Sequence, residues 1–193
     1  GVVIGEKPLI EIIPLTLGFG AYQFLMTADT MLVRACFSGN DSAFYGSAGT
    51  LARASMWLVG PLAAVMFPKI VHAKAKGEKS DLMGIVLIGT AILAAGGATG
   101  LWVLGPWVVP FMFKPSYVKA ASELLPWYAW AVVPLAVANV LLNNLLARGL
   151  FRVVPALCVL AIGYAFALTR FHDTPVMVIQ TLGVANLLLL AVC

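Results

Sequence analysis

The stretch LMGIVLIGTAILAAGGATGLWVL, residues 82–104, decides the fold. It runs for 23 residues without an ionisable side chain. A helix needs about 20 mostly apolar residues to cross the hydrocarbon core of a bilayer. Working outward, five further stretches qualify or nearly do: about Pro8–Phe37, Ala43–Val71, Tyr117–Ala147, Pro155–Phe171 and Pro175 to the end of the chain. Between them lie Ser38-Gly39-Asn40-Asp41-Ser42, read as a tight polar turn, and the charged run from Lys74 to Asp81. Gly105-Pro106, Pro110 and Lys114-Pro115 read as breaks before the fourth span, Arg148-Gly149 as its end, and Arg170–Thr174 as the last loop. The expected fold is all-α: a polytopic membrane protein of about six spanning helices, residues 1–193 forming a single transmembrane domain.

Composition agrees with that reading. Of the 193 residues, 62% are apolar and only 10% charged, with a mean hydropathy of +0.99. Soluble domains carry roughly 25% charged residues, and a chain of this size cannot hide so much apolar surface in one soluble core. A soluble enzyme, a nucleic-acid binder and a disordered chain are thereby excluded. Cys36, Cys158 and Cys193 are odd in number and widely spaced, so they imply neither a disulfide framework nor a metal site. No span pairs His with Asp or Glu at metal spacing, no Ser or Cys nucleophile has an evident base, and no phosphate-binding glycine loop is present. Covalent catalysis and a bound cofactor are therefore not expected. The chain opens Gly1-Val2-Val3 and stops inside the apolar run Leu187–Cys193, which reads as a piece of a longer protein.

The net charge of +4 is distributed unevenly. With a cytoplasmic N-terminus, Lys7, Lys69, Lys74, Lys76, Lys79, Arg148 and Arg152 fall on the inner side, against Arg34, Lys114, Lys119 and Arg170 outside. Loops rich in Lys and Arg stay cytoplasmic, so this orientation is expected. Trp102, Trp107, Trp127 and Trp130 fall near the outer ends of the third and fourth spans and read as an interfacial belt. Pro14, Pro61 and Pro134 each remove a backbone donor and should bend their helices. Gly96-Gly97-Ala98-Thr99-Gly100 offers a small-residue surface for close helix contact.

Charges inside a bilayer are costly and need a partner or water. Asp29 lies eight residues before the end of the first span, about 12 Å of helix rise, and Arg53 ten residues into the second, about 15 Å. Because the two spans are antiparallel neighbours, the charges reach similar depth and a salt bridge is geometrically reasonable. It serves either as a structural pair or as the lining of a hydrated cavity, with Arg53 facing an anion or Asp29 taking a proton or cation. Asn139 with Asn143, and Asn144 with Arg148, share adjoining faces at i,i+4, for bonding between helices or to substrate. Tyr22 and Gln23 are candidates for the same polar interior.

These residues carry a resemblance. The early proline, Gln23 and Asp29-Thr30, then Tyr45, Ser47-Ala48-Gly49, Leu51-Ala52-Arg53, Pro61 and Phe67-Pro68-Lys69, resemble the seventh and eighth helices of bacterial polysaccharide flippases. Those belong to the multidrug/oligosaccharidyl-lipid/polysaccharide exporter superfamily. Phe113–Tyr117, Leu124-Leu125-Pro126, Pro134 and Asn143–Arg148 resemble the stretch leading through the tenth helix. The resemblance covers roughly Leu9–Leu150 and implies the second six-helix lobe of a two-lobe flippase in the bacterial inner membrane. It implies a missing N-terminal lobe of the same chain, with Asp29 and Arg53 facing the cavity between lobes. The expected function is alternating-access translocation of a lipid-linked oligosaccharide, a precursor of surface polysaccharide such as lipopolysaccharide, with a proton or sodium as coupling ion. The competing expectations are a cation-coupled multidrug exporter, a flippase for the peptidoglycan lipid precursor and, from another class, a non-transporting membrane scaffold or assembly subunit.

Overall fold

The computed structural model describes residues 7–37, 39–54, 82–113 and 115–193, and these are almost wholly helical. In chain order they form α1 (Lys7–Cys36), α2 (39–54 as described), α3 (Leu82–Met112), α4 (Pro115–Ala147), α5 (Val153–Arg170) and α6 (Pro175–Val192). The second half of the expected second span, with Pro61 and the lysine-rich run that follows, lies outside the described residues. Four spans, Met83–Met112, Val118–Leu146, Val153–Arg170 and Pro175–Val192, are long and apolar enough to cross a membrane. This is a helical membrane protein. α1 is long enough, at about 45 Å for 30 residues, but it is not among those four.

The polar turn expected at residues 38–42 is largely absent. The helix resumes at Gly39, so Asn40, Asp41 and Ser42 form the first turn of α2. α3 likewise continues through Gly105-Pro106 and Pro110, where a break was expected. A spanning segment in lipid must satisfy its backbone internally, and neighbouring helices let it tolerate proline. α3 is therefore about 46 Å long against a hydrocarbon core of about 30 Å, so it tilts or projects beyond it. Pro14 and Pro134 also lie inside their helices, α1 and α4.

α4 is the centre of the bundle. Half of its span is buried, against 22% for α3, 28% for α5 and 33% for α6. Its buried face repeats at alternating three- and four-residue steps through Ala121, Leu125, Tyr128, Val132 and Leu135, then Leu142 and Leu146. That is the seam a close-packed helix presents to its neighbours. α3 and α6 pack on α4, while α1 packs on α5 and α6. The α3 seam uses Ala94, Ala98 and Gly105; a Cβ on Gly105 would stand 3.1 Å from Leu125. Gly96 and Gly100 have nothing within 4 Å of where a side chain would begin. Of the expected small-residue surface, Ala98 makes the contact and those two glycines do not.

The turns are encoded locally. Gly149 adopts φ 72°, Leu150 N–H donates to the Leu145 carbonyl and Gly149 N–H to Leu146, closing α4 in the paired-bond stop that glycine favours. Thr174 caps α6, its hydroxyl accepting from Met177 N–H at 3.2 Å, with Pro175 as the first helical residue.

Candidate functional site

The buried face of α1 runs Gly18, Tyr22, Leu25, Asp29, Val33. A carboxylate thus occupies a core position, with 0% of Asp29 exposed. Such a group persists only if its lone pairs are filled. Arg53 Nη2 reaches Asp29 Oδ1 at 2.7 Å and Oδ2 at 3.0 Å. Tyr45 donates its hydroxyl to Oδ2 at 2.9 Å, and Tyr128 donates to the same oxygen. Three helices, α1, α2 and α4, therefore meet on one carboxylate.

The two partners of the ion pair differ in what they have left to offer. A carboxylate has about four lone-pair sites; on Asp29, Oδ2 accepts from Tyr45, Tyr128 and Arg53 Nη2, while Oδ1 accepts from Arg53 Nη2 alone. Arg53 has five N–H donors in a planar fork. Nη1 donates to Thr30 Oγ1 at 3.0 Å and Nη2 to Asp29, which uses part of the fork. The Arg53 side chain remains 20% exposed, and its guanidinium carbon sits 5.4 Å from the Tyr128 ring centroid. Asp29 anchors; Arg53 presents.

The tyrosines are held by their neighbours. Tyr45 and Tyr128 meet edge to face, with centroids 5.3 Å apart at 67°, a favoured aromatic geometry. Gly49 makes room for them, since a Cβ there would stand 3.1 Å from the Tyr128 ring and hydroxyl. Tyr164 of α5 is also a core residue. Its hydroxyl is buried and has no hydrogen-bond partner among the described residues.

Of the residues singled out from the sequence, the structure brings Asp29 and Arg53 together. Tyr22 shares the Asp29 face two turns away, about 10 Å along α1; its hydroxyl is buried without a partner among the described residues. Gln23 is exposed. Asn139, Asn143 and Asn144 stand apart, about 16–24 Å along α4 from Tyr128. Asn143 bonds back to the Asn139 carbonyl at 2.8 Å and Asn139 Oδ1 at 2.7 Å. Asn144 donates to Met83 Sδ on α3 at 2.9 Å. Trp102, Trp107, Trp127 and Trp130 all lie on the exposed surface, where an interfacial belt must lie.

Sequence reading missed Tyr45 and Tyr128 as donors, Gly49 as their spacer, and a polar stripe. Thr16, Gly20, Gln23, Thr27, Thr30 and Arg34 recur at alternating three- and four-residue steps on the outer side of α1. Leu17, Phe24 and Met31 flank the stripe on the exposed surface. On α2, Asn40, Ala43, Ser47 and Thr50 make a second small and polar row. Thr27, Ser47 and Thr50 turn their hydroxyls onto their own helices, donating to Gln23, Ala43 and Gly46 carbonyls at 2.8 Å each. Arg53 Nη1 donates to Thr30 Oγ1, tying α2 to the stripe on α1. The 3.5-residue period of the stripe was legible in the sequence, but which side of α1 it occupied was not. No group of three or more metal-ligating side chains occurs among the described residues. Set against known proteins, the chain matches no family model, no curated protein and no solved structure.

Proposed function

We propose that this chain is the second lobe of a flippase that carries a lipid-linked oligosaccharide across the bacterial inner membrane by alternating access. The substrate class rests on the sequence resemblance described above. The supporting observation is Arg53: a guanidinium at membrane depth, held by a fully buried carboxylate, with donors to spare beside a polar stripe. A pyrophosphate crossing a low-dielectric core needs cationic groups in a wet path, and the planar fork of arginine suits phosphate oxygens. A stripe of hydroxyls and amide facing lipid would be costly, so it belongs against water or a second lobe. The Asp29 bonds favour an anchoring role over ion coupling in this arrangement, leaving proton or sodium coupling to another conformation or another site.

Neutralisation of Arg53 tests the reading. Arg53→Gln in the full-length protein should abolish complementation of polysaccharide export while the variant still inserts in the membrane, and export is compared at matched abundance so that lost stability is separated from lost transport. The exchange Asp29→Arg with Arg53→Asp preserves a pair but turns the cation inward. Full transport by that double variant would make the pair purely structural and leave a non-transporting scaffold as the better reading.

A further inference from the structure

The Asp29–Arg53 pair is built unequally. Nη2 alone serves both carboxylate oxygens, at 2.7 Å to Oδ1 and 3.0 Å to Oδ2, while Nη1 is turned to Thr30 Oγ1 at 3.0 Å. The tightest arginine–carboxylate geometry sets two parallel N–H···O bonds from two nitrogens, and this pair does not use it. Arg53 hangs on Asp29 by one nitrogen. The carboxylate has other donors: Oδ2 also accepts from the hydroxyls of Tyr45 on α2 and Tyr128 on α4. Both tyrosines are fully buried and packed edge to face at 5.3 Å, so their hydroxyls are fixed on Asp29 by packing. Asp29 is closed to solvent, while the Arg53 side chain is 20% exposed. An anion entering along the polar stripe therefore meets the guanidinium and not the carboxylate. The guanidinium carbon lies 5.4 Å from the Tyr128 ring centroid, a cation–π contact that survives a change of hydrogen-bond partner.

A guanidinium that left a bare carboxylate behind would be trapped, because a stranded buried charge costs more than the pair contributed. Here two neutral O–H donors stay behind on Oδ2, and hydrogen bonds to a charged group are among the stronger ones. We infer that Tyr45 and Tyr128 are positioning residues that make the ion pair exchangeable: they hold the Asp29 carboxylate while Arg53 turns Nη2 from Asp29 to the pyrophosphate of the lipid-linked substrate. When the anion departs, Asp29 takes Nη2 back and the site is reset. Asp29 is thus a competitor of the substrate, which keeps binding weak enough for release. This rests on the transport reading and adds how its cation is freed and recovered.

The test measures equilibrium binding of a short polyprenyl pyrophosphate to full-length protein in detergent, with inorganic pyrophosphate and phosphatidylglycerol as parallel probes. Inorganic pyrophosphate should compete for the site; equal binding of phosphatidylglycerol would make the anion an ordinary headgroup and overturn the assignment. Asp29→Asn, which removes the competitor, should tighten binding about tenfold. Tyr45→Phe with Tyr128→Phe keeps both rings and should weaken it about tenfold or more, the scale of hydrogen bonds to a charged group. In the Asp29→Asn background the same two substitutions should change binding by no more than about twofold. That dependence separates exchange from packing, since lost packing acts alike in both backgrounds. Should the double-Phe variant unfold, infrared difference spectra of the wild type decide: probe binding should shift a carboxylate band that Asp29→Asn lacks. The inference is overturned by unchanged binding in a folded double-Phe variant, by equal losses in both backgrounds, by Asp29→Asn weakening binding as Arg53→Gln does, or by a carboxylate band that the bound probe leaves in place. If only the exchange is wrong, wild type binds the probe and Arg53→Gln abolishes binding, while the tyrosine substitutions leave it unchanged. If transport is wrong, Arg53→Gln complements normally; if the wild type binds no pyrophosphate at all, both readings fall.

Discussion

Leu25 and Val33 flank Asp29 on the buried face of α1, where an apolar residue would cost nothing. The carboxylate is tolerated because Arg53, Tyr45 and Tyr128 surround it. Removing either charge alone strands the other, and a stranded buried charge costs more than the pair contributed. Asp29→Asn and Arg53→Gln should therefore each destabilise the purified protein, while the double variant loses less than their sum. The expected coupling is roughly 1–3 kcal/mol, read from chemical unfolding in detergent; strict additivity would mean the two side chains act independently. Gly49 makes a second prediction at this scale. An added methyl pushes on the Tyr128 hydroxyl and ring from 3.1 Å, so Gly49→Ala should lower stability by about 1 kcal/mol through overpacking. In a Tyr128→Phe background the same methyl has more room and should cost measurably less. An equal cost in both backgrounds would show that Tyr128 is not what Gly49 accommodates.

At the scale of elements, α4 and α6 are joined by one polar tie. Asn186 is fully buried and donates Nδ2 to the Ala131 carbonyl at 2.8 Å, three residues before Pro134. Gly183, one turn earlier, brings the backbones close, with a virtual Cβ 3.5 Å from that of Ala131. Lipid tails are as apolar as leucine, so helices in membranes associate through such close packing and hydrogen bonds. Asn186→Asp replaces a donor with a charge aimed at a carbonyl and should cost roughly 3 kcal/mol, the scale of a mid-membrane aspartate. Asn186→Leu should cost less. Comparable thermal unfolding of the Asp variant and wild type would remove Asn186 from the α4–α6 contact. The spans themselves were legible because hydropathy is a one-dimensional property: the observed ends of α4, α5 and α6 fall within two residues of those read from sequence. The ion pair was legible because two adjacent antiparallel spans fix depth by counting. Tyr128 was not, because it reaches Asp29 across 99 residues and helix packing order is absent from a hydropathy profile. Pro106 and Pro110 misled because proline ends helices in water more readily than in lipid. The asparagines of α4 misled because i,i+4 spacing allows self-pairing as readily as contact between helices.

At the scale of the whole molecule, α1 and α4 should end on opposite sides of the membrane. A bundle of successive spans reverses direction at each connection, so the C-terminal end of α1 is outside when that of α4 is inside. The cationic residues Arg148 and Arg152 flank the turn after α4, and both are exposed, which favours the cytoplasmic side for that turn. Cys36 is an exposed free cysteine at the end of α1. In a background with Cys158 and Cys193 changed to serine, Cys36 should react with an impermeant maleimide in sealed cells. Asp173→Cys, in the loop between α5 and α6, should react in the same way, because α5 crosses back to the outer side. Leu150→Cys, 47% exposed as the native leucine, should stay unlabelled until the cells are opened. The result that overturns the orientation is the reverse pattern, with position 150 labelled from outside and Cys36 protected. If both react from outside, an even number of crossings lies between positions 36 and 150, and one of α2, α3 and α4 fails to span. The polar row of α2, Asn40, Ser47 and Thr50, needs water or a second lobe against it for that helix to cross, so the labelling tests the membrane path and the polar face of the candidate site together.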